Sequence, residues 1–221
     1  MSKREHTTSQ SYVDWLKSLG CLVYLPLLAN GDLQDRISGL PLQFTGNGSL
    51  VWDANQQMYQ LTTPSQYNSH IATLNNGISV ANFPDNKFTF LGKYKKITNS
   101  LSKFIRGFCV NSYDGTTTDT FNCLYNGSSR TSTYPIDITA IGGVYNSNIE
   151  RSFYQNGTLF VTAASDTRYL PSNWILNGPG VILGNTTYTS SFTSVQYYVS
   201  ELYLFNTALD LQTIRKIQGY E

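Results

Sequence analysis

Charge is scarce in this sequence. Asp, Glu, Lys and Arg make up 13% of the 221 residues and nearly cancel, to a formal net charge of +1, where an ordinary globular chain is about a quarter charged. A chain so balanced has no basic face to gather phosphates, which argues against a nucleic-acid partner. Long apolar runs are absent too. None approaches the ~18 residues of a membrane-spanning helix, so no membrane insertion is expected. Met1 to Gln10 are polar, without the apolar stretch of an export signal, so the chain is expected to be soluble and made in the cytosol.

Reactive side chains are few. Three cysteines, Cys21, Cys109 and Cys123, cannot all pair within one chain. They are either three free thiols in a reducing compartment or one Cys109–Cys123 bridge and a free Cys21. Nucleophilic catalysis needs a base, usually His, and only His6 and His70 are available. No Cys/His spacing resembles a zinc ligand set, and no Gly-rich phosphate loop is present. Glycoside hydrolysis needs two carboxyl groups flanking the scissile bond. The four glutamates, Glu5, Glu150, Glu201 and Glu221, lack close acidic neighbours. The expectation is a protein that is not an enzyme, with an unfamiliar acid pair involving Glu150 or Glu201 as the catalytic alternative.

Polarity is carried instead by Asn, Ser, Thr, Gln and 16 tyrosines. Tyr12, Trp15, Leu16 and Leu19 recur at helical spacing, with Ser11 or Asp14 near the start and Gly20 at the end. This segment either covers an edge of the domain or docks onto a partner. From Cys21 onward, short β-type runs alternate with turn residues. The runs are Leu22–Leu28, Gly48–Trp52, Met58–Leu61, Phe88–Tyr94, Phe104–Val110, Phe121–Tyr125, Ile136–Tyr145, Ser152–Gln155, Leu159–Thr162, Val181–Leu183 and Val195–Phe205. Asn30-Gly31, Asn76-Gly77, Asp114-Gly115, Asn126-Gly127, Asn156-Gly157 and Asn177-Gly178 punctuate them, and such dipeptides favour two-residue hairpins between antiparallel strands. Asp210 is placed to cap a closing helix with Leu211, Ile214 and Ile217 or Gln218 on one face. No repeat divides the chain. A tail with a short helix (1–20) precedes one β-domain (21–221).

Two stretches carry a family resemblance. Ser152-Phe-Tyr-Gln-Asn-Gly-Thr-Leu-Phe160 resembles a strand–turn–strand of the laminin-G-like, concanavalin-A-like jelly-roll superfamily. Ser200-Glu-Leu-Tyr-Leu-Phe-Asn-Thr-Ala-Leu-Asp-Leu-Gln-Thr-Ile214 resembles its closing strand and capped helix, although Thr213 stands where the family often has Glu. Cys21–Leu28 and Phe88–Tyr94 match its opening strand and an early core strand. The resemblance implies an all-β fold, a two-sheet antiparallel jelly-roll sandwich with a short N-terminal and a short C-terminal helix. It says little about a ligand, because fold does not imply function.

Candidate contacts follow from chemistry. Asn30, Asp32 and Asp35 form a small cluster after the opening strand. It reads either as turn chemistry or as a calcium site, with Asp32 and Asp35 as ligands; Asp35 falls near a position where the resembled family often has Asp. Asp114 and Asp119 make a second, weaker cluster. Glycans are gripped by aromatic faces beside hydrogen-bonding side chains, and Arg168, Tyr169, Asn173 and Trp174 share one long loop, with Tyr113, Trp52 and Tyr67 as further candidates. Four sequons, at Asn47, Asn126, Asn156 and Asn185, are attributed to chance in an Asn/Ser/Thr-rich chain.

An outward-facing composition without an export signal is reconciled by a virion protein, assembled in the host cytoplasm and released by lysis. The expectation is a phage capsid decoration, head-fibre or tail protein at the virion surface. Its partners would be other virion proteins or copies of itself, and a host-surface glycan. A free-standing extracellular lectin is the alternative.

Overall fold

Alternating and β-branched runs do form strands, and the longest of them organises the rest. A computed structural model describes residues 9–44, 48–63, 72–74, 76–78, 80–96, 108–110, 139–146, 150–164, 181–183 and 195–220. Helix α1 (Gln10–Ser18) is followed by strands β1 (Cys21–Leu25), β2 (Ser49–Asp53), β3 (Met58–Thr63), β4 (Ala72–Leu74), β5 (Lys87–Lys96), β6 (Phe108–Val110), β7 (Thr139–Asn146), β8 (Glu150–Gln155), β9 (Thr158–Ala164), β10 (Val181–Leu183) and β11 (Val195–Phe205), then helix α2 (Leu211–Gln218). The strand Phe121–Tyr125 read from the sequence lies outside the described residues. Strand β4 was not read from the sequence: its three residues, Ala-Thr-Leu, are too few to alternate and, unlike Val181–Leu183, form no continuous apolar run.

Every pairing among the described strands is antiparallel. The larger sheet runs β2-β3-β11-β5-β7-β8-β9, and a smaller one runs β4-β10-β6. Strand β11, 11 residues long, pairs β5 from Tyr197 to Phe205. It pairs β3 over Val195–Val199 and β1 over Leu202–Phe205. A register shift between Val199 and Leu202 falls where the partner changes.

Both faces of the central strands are buried. On one, Phe88, Phe90, Leu202, Leu204, Val23 and Leu25 are fully enclosed. On the other, Tyr24, Leu91, Tyr203 and Phe205 join Tyr12 and Leu16 of α1 and Ile214 and Ile217 of α2 in one cluster. This settles the amphipathic face of α1. Tyr12 and Leu16 are core residues, and Trp15 and Leu19 lie partly buried against that core. Docking onto a partner through Tyr12 and Leu16 is therefore corrected, because both side chains are buried within the chain, whereas Trp15 and Leu19 keep part of their surface exposed. Lys216 of α2 also places its ammonium over the Trp15 ring at 5.1 Å, tying the helices together. The N-cap is Ser9, neither Ser11 nor Asp14, and its hydroxyl accepts from the Tyr12 amide at 3.3 Å.

The turns are partly as expected. Asn156 and Gly157 have φ of +49° and +69°, the pair of positive angles that a tight hairpin requires, and they join β8 to β9. Asn30-Gly31 instead lies in a 3-10 turn, and Asn76-Gly77 lies between β4 and β5, which do not pair. The β2–β3 hairpin turns at Ala54–Gln57, where Asp53 Oδ1 accepts from the Asn55 and Gln56 amides at 2.8 and 3.1 Å. Its side-chain bonding does the work of an Asn-Gly pair.

Candidate functional site

Asp35 is fully buried, and its carboxylate is filled by the protein. Oδ1 accepts from the Tyr24 amide at 2.8 Å and the Ile37 amide at 3.2 Å. Oδ2 accepts from the Ser38 amide at 3.0 Å and the Ser38 hydroxyl at 2.5 Å. Four donors on two oxygens leave no lone pair suited to a cation. Asp32 is ion-paired with Arg36. The geometry corrects the calcium reading of Asp32 and Asp35 in favour of turn chemistry: this knot fastens the loop after β1 to the strand itself. Among the described residues no three His, Cys, Asp or Glu side chains gather as a metal site would need.

Arg168, Tyr169, Asn173, Trp174, Tyr113, Tyr67, Asp114 and Asp119 lie outside the described residues. Trp52 is half-buried, edge-on to Tyr59 with ring centroids 5.1 Å apart. The Tyr59 hydroxyl donates to the Leu28 carbonyl at 2.9 Å. Cys21 is a free, buried thiol, which donates to the Val23 carbonyl at 3.2 Å. Burial pushes its thiol well above the ordinary range, so it is a poor nucleophile. Glu201, one of the two carboxyls considered for catalysis, is held by the Lys93 ammonium at 3.1 Å.

The described residues do bring together a set that no sequence motif announces. The helix-bearing face of the larger sheet continues beyond the helices into a polar strip. Register places Val51 opposite Gln60, Gln60 opposite Tyr198, and Tyr198 opposite Lys95. Directly opposed residues share a face, so these four form one row across β2, β3, β11 and β5. The row spans roughly 14 Å, three interstrand steps of about 4.8 Å. At the β2–β3 turn the Tyr198 hydroxyl donates to Asp53 Oδ2 at 2.8 Å, and Lys95 Nζ donates to Gln56 Oε1 at 2.7 Å. Asp53, Gln56, Gln60, Lys95 and Tyr198 are half-buried, whereas Val51 is 61% exposed. The Tyr198 hydroxyl first, then the Gln56 amide, hold the Asp53 carboxyl below its ordinary value, so it remains an anion. The strip thus offers fixed hydrogen-bonding groups of both signs beside an exposed aliphatic side chain.

The chain is a mostly β domain of antiparallel sheets with two short helices, and solved structures share this fold. One, of botulinum neurotoxin type C, whose description names interaction with two ganglioside molecules, matches with a TM-score of 0.59 and 13% identity, over 93% of this chain and 53% of that one. The binding domain of botulinum neurotoxin DC in complex with rat synaptotagmin II matches with a TM-score of 0.56 and 14% identity, over 91% and 52%. A structure described as a receptor binding domain matches at 0.57 and 13%, over 94% and 53%. At such identities the likeness is one of fold. The chain spans about half the length of these structures. No protein-family model matches it, and no curated protein does.

Proposed function

We propose that this chain is a non-enzymatic carbohydrate-binding module whose two sheets form a jelly-roll sandwich. The observation that carries this reading is the fold, shared along 91–94% of the chain with a neurotoxin structure described by its ganglioside interaction, with a neurotoxin binding domain in complex with synaptotagmin II, and with a structure described as a receptor binding domain. Sparse charge and abundant Asn, Ser, Thr and Tyr support an outward-facing surface suited to hydroxyl-rich ligands. In this reading Arg168, Tyr169, Asn173, Trp174 and Tyr113 contribute to the glycan contact, with the aromatic rings stacking on sugar C–H faces.

The same reading places the module on a phage particle, as a capsid decoration, head-fibre or tail protein made in the host cytoplasm and carried to the virion surface. Other virion proteins, or further copies of the chain, would hold it through a surface other than the inward face of α1. Two measurements test this. The isolated chain should be retained on a glycan array, and Trp174→Ala should weaken that retention; a chain retained by no glycan refutes carbohydrate binding. Mass spectrometry of purified particles should find the chain, whereas a chain found only free in the medium favours a lectin.

A further inference from the structure

We propose that the polar row on the helix-bearing face, Val51–Gln60–Tyr198–Lys95 with Asp53 and Gln56 at its end, is a binding site for neutral sugars, which it recognises through adjacent hydroxyl pairs. This assignment rests on the carbohydrate-binding reading and adds a site on the sheet to the one proposed for the loops.

The hydrogen-bonding capacity of the row fits a diol. Tyr198 gives its one proton to Asp53, so its oxygen can act towards a ligand only as an acceptor. Lys95 Nζ makes one hydrogen bond among the described residues, to Gln56, which leaves two ammonium protons to donate. A hydroxyl that accepts from Lys95 and a neighbouring hydroxyl that donates to Tyr198 would meet both needs at once. These two side chains are direct partners in register, the spacing at which side chains share one ligand.

Charge selects a neutral ligand. Asp53 lies beside Lys95 and Glu201 beside Lys93, so the strip has cations and anions in equal number. An acidic sugar would meet an ionised Asp53 beside the Lys95 that attracts it, and gains nothing from the sum. Val51, 61% exposed at the far end of the row, supplies an apolar surface for sugar C–H groups. The strands and the two cross-strand hydrogen bonds hold the groups in place before a ligand arrives, which lowers the ordering cost of binding.

The test uses the full chain and immobilised lactose, maltotriose and N-acetyllactosamine, with sialyllactose as the charged comparison. Wild-type chain should bind at least one neutral sugar, and O-methylation of that sugar should abolish binding. Lys95→Met and Val51→Asp should each weaken it by about tenfold, the loss of one hydrogen bond or apolar contact, with the thermal midpoint unchanged. Val51→Asp alters an exposed side chain, so it decides the matter even if Lys95→Met folds poorly. Neutral-sugar binding that survives both substitutions overturns this site and leaves the carbohydrate-binding reading standing. Retention of sialyllactose alone overturns the neutral-sugar assignment, and a chain that binds no sugar overturns both proposals.

Discussion

Tyr24 and Tyr203 lie face to face, ring centroids 4.5 Å apart and 8° from parallel. Tyr12 of α1 meets Tyr24 edge-on at 5.9 Å and brings its hydroxyl to 3.5 Å from that of Tyr203. Three tyrosines thus join the first helix, the first strand and the last strand. Burial raises the Tyr12 phenol from 10.0 to about 12, and burial likewise pushes Tyr203 well above its ordinary value. A phenol that holds its proton more tightly when folded stabilises the fold fully below pH 10 and loses that contribution as pH rises towards 12. The loss from Tyr12 alone amounts to roughly 2–3 kcal/mol. Denaturant titrations at pH 9 and pH 11.5 should show it, and Tyr12→Phe should reduce the difference; an unchanged pH dependence would remove Tyr12 from the account.

Leu16 is fully buried in the same cluster. Leu16→Ala should therefore cost about 2–5 kcal/mol through lost burial and the cavity left behind. A helix that merely decorated the surface would tolerate the change, so thermal unfolding of this variant separates the two roles of α1.

Asp35→Asn keeps the shape of the side chain but turns one acceptor into a donor facing buried N–H or O–H groups. At least one buried donor loses its partner, and the expected cost is about 2–4 kcal/mol. Calcium added to the wild-type chain should leave the unfolding midpoint unmoved; a calcium-dependent rise would restore the metal reading.

Gly157 has φ of +69°, and a Cβ there would lie 2.9 Å from Cβ of Tyr220. Gly157→Ala should destabilise by about 1–2 kcal/mol for the backbone angle alone, and by more where Tyr220 must move. The Tyr220 hydroxyl also donates to Asn156 Oδ1 at 2.9 Å, so the end of the chain closes over this hairpin. Adding Tyr220→Gly, which removes that Cβ, to Gly157→Ala should recover the part of the steric loss due to Tyr220, measured as a double-mutant cycle.

Asp210 accepts from the Thr213 amide at 2.8 Å and from its hydroxyl at 2.9 Å. Thr213 thereby serves the cap from the position where Glu is common in the resembled family. Asp210→Ala should cost about 1 kcal/mol near neutral pH. The two Thr213 bonds hold the carboxyl below its ordinary 3.8. The contribution is therefore complete above that value and fades as pH falls through the lower, folded one. The gap between variant and wild type should narrow in acid, and a gap constant down to pH 2 would refute this account.

The parts legible in the sequence are those whose signals are local. Val195–Phe205 and Val181–Leu183 form strands with the bounds read from their apolar runs, and α2 follows from its cap and from Ile214 and Ile217, whereas Leu211, expected on the same face, is exposed and Gln218 is buried beside them. The Asn156-Gly157 turn is likewise a property of two adjacent residues. Alternation does not reveal a strand as short as β4, nor does an Asn-Gly pair reveal whether the strands around it are neighbours.

Sequence alone determined the β-rich class, the paucity of catalytic groups and the amphipathic character of both helices, because composition and side-chain period act over a few residues. Only the tertiary structure decided that α1 covers its own sheet, that Asp35 is saturated by amides, and that Asp53 and Tyr198 touch. The last pair is 145 residues apart in the chain. Strand register brings such groups to one face, and register is a property of partners chosen across the whole fold.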